Sequence, residues 1–236
     1  MTSLRPVPSV SVARALTDVA GLGSFFSLTT GDADGEWRPV SDAYAAGLGH
    51  LVSARAARYG TPEPRIAASI VQLGHAARLW SPILGCVIVH GVIPDLGGLQ
   101  QRVDGPELRL PAPRGWEAPR DGTLTQVLYR LVMEDHLAPL SAGLRVKVAP
   151  RLLHGNAASA LAEAARDLLR AWPELGPSIT RLATDLLRTR KLRGLGEFTG
   201  PRLEFRRRSC CLNYRVPEGR KCGDCSLDRK APGHSI

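Results

Sequence analysis

The chain has 236 residues, 44% of them hydrophobic, and a formal net charge of +9. That length and apolar content allow a sizeable buried core, as one large domain or one domain with an appendage. Met1 to Gly23 lacks a basic region followed by an apolar run, because Arg14 and Asp18 interrupt it; no secretory signal is expected, and the expected location is cytoplasmic.

Gly31 to Pro39 reads as a loop. Ser41 to Tyr59 reads as an amphipathic helix with Ser41 as N-cap, Tyr44, Leu48 and Leu51 on one face, and Gly60 placed to end it. In Pro62 to Trp80 the residues Ile66, Ile70, Leu73, Ala77 and Trp80 recur at helical spacing and define an expected apolar stripe. The uncharged stretch Leu79 to Pro94 is too short for a membrane span and is broken by Pro82, Gly85 and Gly91. Cys86 lies within it, and a lone thiol among apolar residues is expected to pack in the core.

Leu108 and Leu110 alternate with Glu107 and Arg109 after an Asp104-Gly105 turn, which predicts a two-stranded ribbon. Pro111 to Gly122 reads as a loop. Further helices are expected at Thr123 to His136, at Asn156 to Trp172 with Asn156 as N-cap, and at Pro177 to Arg190. After Gly200-Pro201, Leu203 and Phe205 alternate with Arg202, Glu204 and Arg206 and predict a short strand. The fold class is therefore α+β and predominantly helical. A helical body over residues 1–199 carries a small β-ribbon, and a C-terminal region over residues 200–236 holds a cysteine loop, the two forming one compact domain.

Four of the five cysteines fall within sixteen residues: Cys210, Cys211, Cys222 and Cys225. In a reducing compartment thiols clustered in this way are ligands or catalytic groups rather than structural disulfides. The turn sequence Pro217-Glu218-Gly219 can fold Cys222 and Cys225 back toward the Cys210-Cys211 pair. A 2Fe-2S cluster needs four such donors. A four-thiolate zinc site on a basic, nucleic-acid-binding module is the alternative, although zinc sites more often use CxxC pairs at both ends. A thiol-disulfide pair at Cys222 and Cys225 lacks the βαβ setting of thioredoxin-like motifs.

The last 36 residues carry nine Arg or Lys against four acids, so over half of the net charge surrounds the cysteines. Such a patch suits an acidic redox partner, nucleic acid or an anionic lipid surface. No Gly-x-Gly-x-x-Gly follows a strand, and no phosphate-cradling loop is present.

The run Arg207-Arg208-Ser209-Cys210-Cys211-Leu212-Asn213-Tyr214-Arg215, continued by Cys222-Gly223-Asp224-Cys225, resembles the C-terminal signature of FhuF-like ferric-siderophore reductases. His136-Leu137-Ala138-Pro139-Leu140 and Leu152 to Leu161, with its Gly155-Asn156, resemble that family's helical body. The resemblance implies that Cys210, Cys211, Cys222 and Cys225 ligate one 2Fe-2S cluster. It implies one-electron reduction of siderophore-bound Fe(III) to Fe(II), with iron released in the cytoplasm. The implied partners are a ferric siderophore of hydroxamate type and an external donor such as a ferredoxin or an NAD(P)H-dependent reductase. Nucleic acid is not an expected partner, and the basic patch admits peripheral membrane association. No catalytic residue beyond the cluster is expected; Arg207, Arg208 and Arg215 are candidates for contact with substrate or redox partner. His50, His75, His90 and His136 lie singly, without metal-ligand spacing, and His154 reads as a packing or surface residue.

Overall fold

The structure, a computed structural model, describes residues 4–227. Asp228, Arg229 and Lys230 of the basic tail lie outside the described residues. Two long helices, α4 (Pro64–Gly85) and α7 (Pro150–Ala171), pack along one another through the centre of the molecule. Each has proline in its first turn, where the missing N–H has no intrahelical acceptor to lose. The buried face of α7 is dominated by Ala157, Ala158, Ala160, Ala162, Ala164 and Ala165, small side chains that let α4 approach closely.

The amphipathic helix expected from Pro62 is α4, but its buried face is not the expected stripe. Ile70, Leu73 and Ala77 are only partly buried, whereas Ser69, Gln72 and His75 are inside. Pro82 lies within α4, which runs on into a π-helix at Cys86–His90. Cys86 is fully buried in the main core, and burial pushes its thiol up to about 12.

Two expected helices are divided. Ser41 to Tyr59 forms α2 (Val40–Ala45) and α3 (Gly49–Tyr59), broken where Gly47 and Leu48 take positive φ (64° and 51°). Pro39, not Ser41, caps α2, and the Ser41 hydroxyl donates to Asp42 instead. Gly60 ends α3 at φ 56°, as its position in the sequence suggests. The segment expected from Thr123 becomes α5 (Leu124–Tyr129), a π-helix at Arg130–Leu137, and α6 (Ala138–Gly143). The other helices are α1 (Ser9–Ala20) and α8 (Gly176–Leu187).

A four-stranded sheet has the order β1-β5-β4-β2, formed by β1 (Thr29–Thr30), β2 (Trp37–Pro39), β4 (Gln100–Arg102) and β5 (Leu108–Leu110). β4 and β5 are the expected ribbon, paired Gln100 with Arg109 and Gln101 with Leu108. Strands also occur where loops are expected: β2 pairs with β4, and β6 (Gly115–Glu117) pairs with β3 (Val92–Pro94). Three-residue strands are too short to show an alternating pattern, so only their partners define them. β7 (Gly196–Phe198) pairs with β8 (Phe205–Arg207), and Leu203 and Phe205 join the same apolar core as α1 and α4. The architecture is predominantly helical α+β. No helix among the described residues is long and apolar enough to cross a membrane.

Candidate metal centre

β8 delivers the chain to the cysteines across the N-terminal halves of α4 and α7. On the α4 side, the Ser69 hydroxyl donates to the Cys211 carbonyl at 2.8 Å. On the α7 side, the Asp224 carboxylate accepts from the Ser159 hydroxyl and pairs with Arg166 at 3.3 Å, while the Asp224 carbonyl accepts from the Arg207 N–H at 3.2 Å. The Cys-Cys pair is thus fixed to one helix and the CxxC turn to the other. Gly155 permits this approach: a Cβ there would lie 2.0 Å from Ser209 Oγ and 3.2 Å from Arg207 Nη2.

Asn156 joins the two sides. It is fully buried, and its amide nitrogen donates to the Ser69 carbonyl (2.9 Å), Ser69 Oγ (3.1 Å) and Gln72 Oε1 (3.0 Å). Its amide oxygen accepts from Arg207 Nη2 at 2.7 Å. The expected N-cap role is therefore corrected: α7 begins at Pro150, and Asn156 stands in its second turn, turned into the core.

The sulfurs have a regular backbone environment. Leu212 N–H donates to Cys210 Sγ (3.3 Å) and Leu227 N–H to Cys225 Sγ (3.4 Å). Asn213 N–H and Asp224 N–H serve Cys211 and Cys222 in the same way. Each cysteine at position i thus accepts from the N–H of residue i+2, an arrangement that favours the thiolate over the thiol. Cys211 and Cys222 Sγ are 3.5 Å apart. Two thiolates on one tetrahedral metal, each at about 2.3 Å, stand roughly 3.7 Å apart, so this pair has the spacing of shared ligands. Their mutual hydrogen bond pulls Cys211 down to about 6 and pushes Cys222 up. Burial raises Cys210, opposed by the Leu212 N–H. Among the described residues, no group of three or more His, Cys, Asp or Glu side chains is gathered to hold a single ion.

Of the three candidate arginines, Arg207 faces inward. It is 1% exposed, and its Nε and Nη1 have no hydrogen-bond partner among the described residues. Its positive charge acts on Cys210, Cys211 and Cys222 alike. A buried, incompletely bonded cation is costly unless an anion stands nearby. An all-thiolate iron-sulfur centre is such an anion, so the donor set and its surroundings fit the group. Arg208 is exposed, with a loose pairing to Glu197 at 3.5 Å. Arg215 anchors the loop between the cysteines to Glu63, just before α4, at 2.6 Å. Tyr214 and Leu227 are exposed on the same segment.

A second buried polar group has no counterpart in the sequence reading. Tyr44 Oη lies 2.7 Å from His75 Nε2 and 3.1 Å from His136 Nδ1, inside the core. Burial lowers His75 to about 3 and His136 to about 4 and raises Tyr44, so all three are neutral near pH 7. The histidines are single in sequence and paired in space. Gly143 fixes the tyrosine's place, because a Cβ there would lie 1.8 Å from the Tyr44 carbonyl oxygen.

With this geometry in view, comparison with known proteins finds a match for the cysteine segment. Residues 207–227 match the FhuF 2Fe-2S C-terminal domain, an iron-sulfur cluster-binding domain. The match takes in all four clustered cysteines together with Arg207 and Asp224. No curated protein and no solved structure matches the chain.

Proposed function

We propose that the chain is a ferric-siderophore reductase in which Cys210, Cys211, Cys222 and Cys225 hold one 2Fe-2S cluster. The observation that carries the reading is the matched segment with an i+2 N–H on each sulfur and the buried, incompletely bonded Arg207 guanidinium beside the thiols. The bound cluster supplies single-electron transfer.

The chain's own residues do the rest. The four N–H donors and Arg207 stabilise negative charge at the sulfurs, which favours the reduced state. Ser69, Asn156, Ser159 and Arg166 hold the loop so that these donors keep their aim. Hard oxygen donors hold ferric iron far better than ferrous iron, so accepting one electron weakens the chelate and frees the metal. The electron comes from an external donor such as a ferredoxin or an NAD(P)H-dependent reductase, and the site of action is cytoplasmic.

An anaerobic ultraviolet-visible spectrum before and after dithionite, followed by a ferric hydroxamate with a ferrous trap, tests this. Brown colour that bleaches on reduction and returns as ferrous iron appears is the expected result. A colourless protein with one bound zinc overturns it and favours the nucleic-acid module.

A further inference from the structure

A cavity of about 230 Å³ opens between α3 and α4, and none of the cysteines lines it. The two helices touch, but α3 buries none of its residues, so space remains between them. From α3 come Arg55 and Arg58, three positions apart and so on one face of the helix. From α4 come Gly74, His75 and Arg78, and Asp104, between β4 and β5, closes a third side. Gly74 keeps the wall open beside Arg78, because a Cβ there would lie 3.4 Å from Arg78 Nη1. It does so in a helix interior, where glycine is otherwise unfavourable.

Three guanidinium groups therefore line one small space, and two of them are fixed. Arg78 is half-buried; its Nη1 donates to the Gly74 carbonyl at 3.1 Å, and its guanidinium lies 4.9 Å from the centre of the Phe25 ring. Arg55 Nη1 donates to Tyr59 Oη at 3.2 Å, and its guanidinium lies 5.3 Å from the centre of that ring. Arg58 is exposed at the rim. Among the described residues none of the three forms an ion pair with a carboxylate, and the carboxylate in the lining, Asp104, is held by Arg102 Nε at 2.7 Å. Burial lowers the Arg78 pKa, Glu107 opposes this from beyond pairing distance, and Arg55 lowers it further. With Asp104 engaged by Arg102, Glu107 alone leaves two of the three positive charges uncompensated. Like charges held together in a half-buried space favour the entry of an anion.

We propose that this pocket binds a phosphate group, either as the free dianion or as the end of a phosphomonoester. A guanidinium presents a planar fork of N–H donors that matches two phosphate oxygens, and here two such forks are already held in place. The volume is below the ~300–1000 Å³ usual for a whole organic ligand and suits a compact oxyanion. The remainder of a phosphomonoester would extend past Arg58 into solvent. His75 in the lining places the anion beside the Tyr44–His75–His136 group. The site does not depend on the reductase reading.

Titration calorimetry of the whole protein with inorganic phosphate and with phenyl phosphate tests this, at about pH 8 and with ionic strength held constant by chloride. Saturable binding is expected, weakened about tenfold or more by Arg58→Glu and by Arg78→Gln. Arg181→Glu makes the same charge change as Arg58→Glu on an exposed position of α8, and binding there should match the parent. Arg58→Glu brings a carboxylate to Arg55 and Arg78, so its Tm without phosphate should hold or rise. Phosphate should raise the Tm of the parent and not of this variant, which separates loss of the site from loss of the fold. Tighter binding of phenyl phosphate than of inorganic phosphate assigns the pocket to phosphomonoesters; equal or weaker binding assigns it to the free anion. The proposal is overturned by the absence of saturable binding of either probe. It is also overturned by equal weakening in Arg181→Glu, which would make net charge the cause, or by parental binding in both pocket variants, which would put the anion elsewhere.

Discussion

The cysteine platform and the Tyr44–His75–His136 group lie at opposite ends of one line of buried polar residues on α4, Ser69, Gln72 and His75, and they are built on opposite electrostatic terms. At the platform a buried arginine and backbone N–H groups surround sulfurs, so the site is arranged for negative charge. At the other end the polar groups are neutral histidines and a neutral tyrosine. Separating them keeps the two fields from opposing one another.

The largest effect should come from the platform. Serine in place of Cys210, Cys211, Cys222 or Cys225 is expected to abolish or rearrange the visible spectrum, because a cluster of two irons has no spare ligand. Cys86→Ala should leave that spectrum unchanged, since this thiol is buried in the apolar core. Absorption spectra of the variants decide this, and an unaltered spectrum in Cys210→Ser would remove that residue from the ligand set.

The next effect concerns the joint between the two helices. Asn156→Ala would leave Gln72 Oε1, the Ser69 carbonyl and Arg207 Nη2 each short of a buried partner. The expected loss is about 2–4 kcal/mol, by comparison with the ~1–3 kcal/mol typical of one unsatisfied buried group. Thermal denaturation should show a fall in Tm of several degrees, on the order of 2–4 °C per kcal/mol for a chain of this size. A change under one degree would mean that water takes over these bonds.

At the other end, acid should loosen the core. His75 and His136 have folded pKa values of about 3 and about 4, below the usual 6.5. Their contribution is therefore fully present above pH 6.5 and is lost as the pH falls toward those values, because the unfolded chain takes up protons that the folded one excludes. Each histidine should cost about 1.4 kcal/mol of stability per pH unit below 6.5. Denaturant titrations between pH 6.5 and 4.5 should show a shallower decline in His75→Gln than in the parent. Parallel curves would show that His75 is protonated in the folded protein.

The platform was legible in sequence and the Tyr44–His75–His136 group was not, for a physical reason. Cys210 to Cys225 lie within one short segment, so their spacing carries the chemistry, and the turn at Pro217 to Gly219 is visible too. Tyr44, His75 and His136 are separated by 31 and 61 positions, and each fits the periodicity of its own helix without sign of the others. The polar face of α4 was likewise hidden. Periodicity ranks residues by hydropathy, so it assigned Ile70, Leu73 and Ala77 to the core, whereas Ser69 and Gln72 are held there by Asn156, a residue 84 positions or more away in the chain. The helix break at Gly47 and Leu48 and the π-helix at Arg130–Leu137 also arise from packing that no local pattern records.

The smallest effect separates a buried charge from an exposed one. Arg207 and Arg208 are neighbours in sequence, yet the first is enclosed beside the thiols and the second faces solvent. Arg207→Met removes a cation from a poorly screened site but also relieves two guanidinium nitrogens that have no partner among the described residues, so its effect on stability should be small. Its effect on the electron should be clear. Losing a nearby positive charge disfavours the added electron, and the midpoint potential should fall on the order of 60 mV, equivalent to about 1.4 kcal/mol for one electron. Arg208→Met should leave the potential nearly unchanged, because water and salt screen an exposed charge. Spectroelectrochemical titration of the two variants compares them directly. Equal shifts would mean that net charge alone sets the potential, and no shift in either would remove Arg207 from the electrostatics of the centre.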